Sequence, residues 1–196
     1  MSSSHVPTTA ATPAVSKTLI QSPPLELSTC TVDSGGTPLS PHQLKEQAYY
    51  NSIVIRRKPT LCLPREHRVT KLNKHPPHLM YGFALTRPQI FAYAQSRELQ
   101  PVDPSLGPLA AYLCLFPSLQ RLREVTGEPY LGFSPSFPPS DTYVVTLYTN
   151  YTVNILQCVD DNDEKEILDS LRQELGIDGT VQPMWFWYGG TEWDDY

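Results

Sequence analysis

DNDEKEILDSLRQELGIDGTVQPMWFWY, Asp161 to Tyr188, holds a helix and a strand with little chain between them. Asp161 stands as an N-cap with Glu164 three residues on, the pattern of a capping box, and the acids clustered there complement the helix dipole. Ile167, Leu168, Leu171 and Leu175 form an apolar stripe at helical spacing, and Gly176 ends it. After a short loop, VQPMWFWY reads as a strand. Its period of two puts Trp185 and Trp187 on one face and Phe186 and Tyr188 on the other, so both faces need cover and the strand belongs inside a sheet.

Just upstream, TYVVTLYT and YTVNILQCV are rich in Val, Thr, Tyr and Ile, with a turn at Thr149-Asn150-Tyr151. An antiparallel hairpin is predicted there. Hairpin, helix and strand in that order predict an α+β protein with a small mixed or antiparallel sheet and helices mainly on one face.

Towards the N-terminus, Ser40-Pro41 is a good cap and first residue for a short helix over HQLKEQAYYN. SIVIRR and TLCLP then read as strands separated at Lys58-Pro59. Thr86 to Leu99 reads as a helix, as does Pro108 to Val125, although Pro117 should kink or split the latter. TGEPYLGFSPSFPPSD reads as a proline-rich loop. Twenty prolines against ten glycines predict many rigid connections.

Residues 1–40, Pro/Ser/Thr-rich and poor in spaced apolar residues, read as a disordered extension to one domain over 41–190. Gly189-Gly190 releases an acidic tail, 191–196. The start of the chain lacks the basic and apolar regions of a secretory signal, and its arginine-free composition argues against mitochondrial import. No apolar run approaches the length that spans a bilayer, so no membrane association is expected. Cys30, Cys62, Cys114 and Cys158 are widely spaced and read as free thiols in a reducing compartment, which places the protein in the cytoplasm. The sequon Asn150-Tyr151-Thr152 is then without meaning.

Signatures of nucleotide binding, zinc proteolysis and α/β-hydrolase chemistry are absent. VDSGGTP at Val32 to Pro38 looks like the nucleophile loop of chymotrypsin-like proteases. Those enzymes place His and Asp ahead of the serine, and the 33 residues before Ser34 cannot supply a barrel, so a glycine turn is the better reading. His75-Pro-Pro-His78, with His67, Glu66 and Cys62 nearby, could offer ligands to a metal, but the two prolines hold the backbone extended and a solvated turn is favoured. The run DDNDEKE lacks the glycine and spaced oxygens of a calcium loop. No metal, no cofactor and no catalytic residue is assigned.

Charge is unevenly laid out. Arg56, Arg57, Lys58, Arg65, Arg68, Lys71 and Lys74 fall within nineteen positions containing one acid, Glu66, whereas eleven acids face two bases from Asp160 onward. The two segments could neutralise each other, or the basic one could meet an anion. A net charge of −5 and the lack of any nucleic-acid-binding motif argue against nucleic acid.

The acidic helix closing on Leu175-Gly176, followed by Pro183-x-Trp185-aromatic-Trp187, resembles small uncharacterised proteins encoded in many copies by mushroom-forming fungi. The resemblance covers about the last sixty residues; it implies a eukaryotic intracellular setting and brings no catalytic residues with it.

Two functional readings follow. The first is a non-enzymatic interaction or accessory protein whose partner is another protein, with Trp193 in the tail as a partner-binding residue. The second is a small enzyme or anionic-ligand-binding protein, its pocket between segment 56–78 and strand 184–188, lined by Arg56, Arg57, Arg65, Arg68, His75, His78, Trp185 and Tyr188.

Overall fold

The computed structural model describes residues 38–99, 108–137, 142–153 and 161–189. The predicted extension up to residue 37, the Asp33-Ser34-Gly35-Gly36 turn, Cys30, Cys158, the acidic tail and Trp193 lie outside the described residues. In chain order the elements are α1 (Pro41–Arg56), a 3-10 turn (Arg65–His67), β1 (Leu79–Thr86), α2 (Arg87–Ser96), α3 (Pro108–Thr126), β2 (Gly132–Phe137), β3 (Thr142–Thr149), α4 (Asp161–Leu175) and β4 (Met184–Tyr188). The class is α+β. All strand pairings are antiparallel, and the order β1-β3-β2-β4 returns to β1, so the sheet closes on itself.

Closure gives the sheet two environments. The outer face carries Phe83, Leu85, Val145 and Leu147, which share one core with Ile90, Tyr93 and Ala94 of α2, Cys114 and Leu122 of α3, and Leu168 and Leu171 of α4. The alternate residues Met80, Val144 and Phe186, with Ala84, Met184 and Tyr188, form a second, smaller cluster inside. Strand backbones run close together here. A Cβ at Gly82 would stand 1.8 Å from the Val145 carbonyl oxygen, beside the register shift between Tyr81 and Gly82, so that position excludes a side chain.

α4 already includes Asp161, the residue expected to be its N-cap, while its apolar stripe and closing glycine form as predicted. Leu171 is fully buried, Gly176 takes φ +68°, and Ile177 N–H bonds the Arg172 carbonyl at 2.9 Å, so the helix ends in a Schellman turn with Ile177 in the core. α1 starts as predicted: Ser40 Oγ accepts from Gln43 N–H at 3.3 Å and Gln43 Oε1 accepts from Ser40 N–H at 2.9 Å.

Several expectations are corrected. SIVIRR is not a strand but the last turns of α1, running to Arg56. A β-branched residue costs a capped helix only a few tenths of a kcal/mol, about 0.5. A closed sheet, moreover, leaves little edge to recruit another strand. TLCLP contributes one bridge, Thr60 to Trp185, with N–H···O distances of 3.0 and 2.7 Å.

The proline-rich loop contains a strand, β2. It pairs with β3 through Gly132–Pro135 and with β4 through Ser136 and Phe137, and Pro135 sits where one ladder gives way to the other. There its missing N–H interrupts least. The second strand of the predicted hairpin, YTVNILQCV, falls mostly outside the described residues; β3 itself is flanked by β1 and β2.

Asn150 diverts the chain. Buried after β3, it accepts from Leu79 N–H at 3.0 Å and donates to the His67 and Pro77 carbonyls at 2.8 Å each, so the chain turns towards the segment preceding β1. Residues 154–160 lie outside the described residues. Finally, α3 runs through Pro117 without a break. Leu113, four residues before, is exposed, so water can reach the carbonyl that proline leaves unbonded.

Candidate functional site

Some of the residues singled out in the sequence gather around β4, in three groups. Trp185 belongs to the interior. Only 5% exposed, it packs against Tyr81 and Tyr148 at ring-centroid distances of 5.3 and 5.7 Å, and those two tyrosines stack on each other at 4.8 Å. Tyr148 donates to Glu164 Oε2 at 2.9 Å. Burial first, and the Glu164 carboxylate second, raise both phenols, Tyr81 to about 12 and Tyr148 further still. These rings anchor α4 to the sheet.

Trp187, two residues along, sits on the same side of β4 and receives the basic segment. The Arg57 guanidinium lies 4.9 Å from its ring centroid and 5.4 Å from that of Phe137, and the His67 ring meets its edge at 4.9 Å. Burial lowers the His67 pKa, with Glu66 opposing. Its Nδ1 is buried and finds no hydrogen-bond partner among the described residues. In the third group, His78 stacks on Tyr188 at 5.0 Å and meets Tyr151 edge-on at 5.6 Å, while its carbonyl accepts from Tyr188 N–H. Tyr151 donates its hydroxyl proton to the Pro76 carbonyl.

Of the proposed lining residues, then, Arg57, His78, Trp185 and Tyr188 lie against the aromatic strand or within it. The other four do not. Arg56 turns back on its own helix to the Ser52 carbonyl and hydroxyl, both at 3.1 Å, and Arg65, Arg68 and His75 are exposed on the segment. Where the segment meets the strand, the Arg57 guanidinium and the His67 and His78 rings lie against Trp187 and Tyr188. His67, Trp187 and Phe137 were missed, although strand alternation alone sets Trp187 beside Trp185.

No family model, curated protein or solved structure matches this chain. Its function is therefore argued from its own geometry.

The described charges bear on a question the sequence left open. Acids of α4 are used within the helical layer: Glu174 takes Arg97 at 3.1 Å, Arg121 at 3.6 Å and the Tyr93 hydroxyl at 3.1 Å, and Asp169 takes Arg172 at 2.7 Å. Among the described residues, none of Arg56, Lys58, Arg65, Arg68, Lys71 and Lys74 forms an ion pair. Segment 56–78 is thus pinned to the sheet by its backbone and rings while most of its cations face outward.

A cleft of about 420 Å³ opens elsewhere, between α4 and Gln182-Pro183, with Tyr81, Glu164, Leu168 and Arg172 in its walls. Two of its polar groups are engaged internally, Glu164 with Tyr148 and Arg172 with Asp169 and the Val181 carbonyl, while Lys165 and Gln182 also line it. Among the described residues no three His, Cys, Asp or Glu side chains converge as metal ligands, and His75 and His78 are parted by prolines whose carbonyls are already hydrogen-bonded. No helix among the described residues is long and apolar enough to cross a membrane.

Proposed function

We propose that this chain is a non-enzymatic interaction protein, working in the cytoplasm, that presents basic segment 56–78 to an acidic protein partner. One observation carries the reading: the exposed cations of the segment have no acidic partner among the described residues, while two acids of α4, Glu174 and Asp169, pair with Arg97, Arg121 and Arg172 instead. Cations arrayed on a fixed backbone meet carboxylates at little conformational cost and steer an oppositely charged partner from a distance. The free thiols Cys62 and Cys114 suit a reducing compartment, and the likeness to fungal intracellular proteins agrees with that setting.

The rival, a ligand pocket between segment and strand, is less favoured because Arg57 and His67 already occupy the Trp187 surface. Immobilised poly-glutamate tests the proposal. At low salt the full chain should be retained despite its net charge of −5 and should elute steeply as salt rises. Replacing Arg65, Arg68, Lys71 and Lys74 by Glu should abolish retention while the melting temperature stays within a few degrees, since substitutions at exposed, unpaired sites each change stability by about 0.5 kcal/mol or less. A wild-type chain that flows through, or a charge-reversed chain that melts far lower, would show the segment serving the fold instead.

A further inference from the structure

Between the 3-10 turn and β1 the chain reverses tightly at Thr70 to Asn73. Thr70 N–H donates to the Asn73 carbonyl at 2.9 Å, and Asn73 N–H donates to Thr70 Oγ1 at 2.9 Å. Asn73 Nδ2 also reaches the Glu66 carbonyl at 2.7 Å, tying this reversal to the 3-10 turn, which Asn150 holds through the His67 carbonyl. The reversal is therefore held at its base and at both ends. At its tip Leu72 is 101% exposed, more than any other large apolar side chain among the described residues. Lys71 and Lys74 flank it, exposed, and Arg65 and Arg68 lie exposed on the chain leading in.

A lone exposed leucine is ordinary on a protein surface. Here, however, a network of backbone and side-chain bonds holds it clear of the molecule, among cations that form no ion pair among the described residues. We infer that the Thr70–Asn73 turn is an anchor for an acidic segment of another protein, Leu72 entering an apolar recess while the surrounding cations pair with carboxylates beside it. This rests on the reading of segment 56–78 as an interaction surface and adds the chemistry of the partner: acidic, with an apolar site next to its charges. Charge alone would not need Leu72, and a purely apolar partner would strand four cations.

Two other polyanions fit less well. Single-stranded nucleic acid is held by aromatic faces open to its bases, whereas Trp187 is covered by Arg57 and edged by His67, and Leu72 is aliphatic. An anionic bilayer is an extended surface that would also feel the acid-rich remainder of a chain of net charge −5, whereas a peptide segment can meet the turn alone.

The test uses the full chain and four fluorescent probes: a short peptide of Glu, Asp and Leu, a length-matched peptide with its leucines replaced by Gly, an oligo-dT of similar charge, and vesicles containing phosphatidylserine. The acidic peptide with leucine should bind best at moderate salt. Leu72→Ser should weaken it at least about ten-fold, equivalent to about 1.4 kcal/mol, while leaving the leucine-free peptide unaffected. Lys71→Gln with Lys74→Gln should weaken both peptides. If the two peptides bind alike and Leu72→Ser changes neither, the anchoring role falls while the basic surface stands. If neither peptide binds, both readings fall. Tighter binding to oligo-dT or to vesicles would overturn the choice of a protein partner.

Discussion

At the scale of single residues, His67 joins the fold to its solution conditions. Its ring lies against Trp187, Arg57 stands on the same indole, Glu66 is the adjacent acid, and its Nδ1 is buried with no hydrogen-bond partner among the described residues. Burial depresses its pKa below the usual 6.5, so the unfolded chain binds a proton that the folded chain resists. Stability from the neutral ring is complete above the unfolded value and is lost as pH falls from there through the lowered folded value. Urea melts taken between about pH 7 and pH 5 should show stability dropping with pH, and His67→Gln should remove part of that slope. An unchanged slope would assign the loss to other groups.

Elements differed in how far their own residues determined them. The stripe and closing glycine of α4 and the cap of α1 were legible because they are local signals within a turn or two of one another. β3 and β4 were legible from their β-branched and aromatic runs. The end of α1 was not, because Ile53-Val54-Ile55 suits a strand as well as a helix, and the choice fell to a sheet with little free edge. β2 was hidden by Pro135, tolerated only because two ladders change over there. In the site, the meeting of segment and aromatic strand was legible from charge and aromatic runs, whereas the cover of Trp187 by Arg57 and the exposure of Leu72 depend on contacts far along the chain. The helical reading of α1 has its own check. Val54 is 2% exposed and Ile55 50%, so Val54→Ala should cost about 1–3 kcal/mol and Ile55→Ala less than half as much. Equal losses would mean both side chains are buried, as in an interior strand.

For the whole molecule, Glu174 is the joint among the helices. It gathers the Tyr93 hydroxyl and Arg97 from the α2 region and Arg121 from α3 onto α4, and its side chain is only 10% exposed. Glu174→Ala removes the carboxylate that the Tyr93 hydroxyl, Arg97 and Arg121 share, and should lower stability by about 1–3 kcal/mol in chemical denaturation. Tryptophan fluorescence, reporting the sheet, and far-ultraviolet circular dichroism, reporting the helices, should fall together, because both layers share one core. A variant in which fluorescence survives the loss of helix would show the closed sheet standing without its helical cover. That closed sheet also sets an order of events during synthesis. Leu79 pairs with Trp187 and Gly82 with Met184, so β1 must leave the ribosome and wait for about a hundred further residues before its second edge can be filled. During that wait the exposed cations upstream of β1 give the nascent chain a hydrated, like-charged flank beside a largely apolar strand, a brake on premature association between neighbouring chains on one messenger RNA.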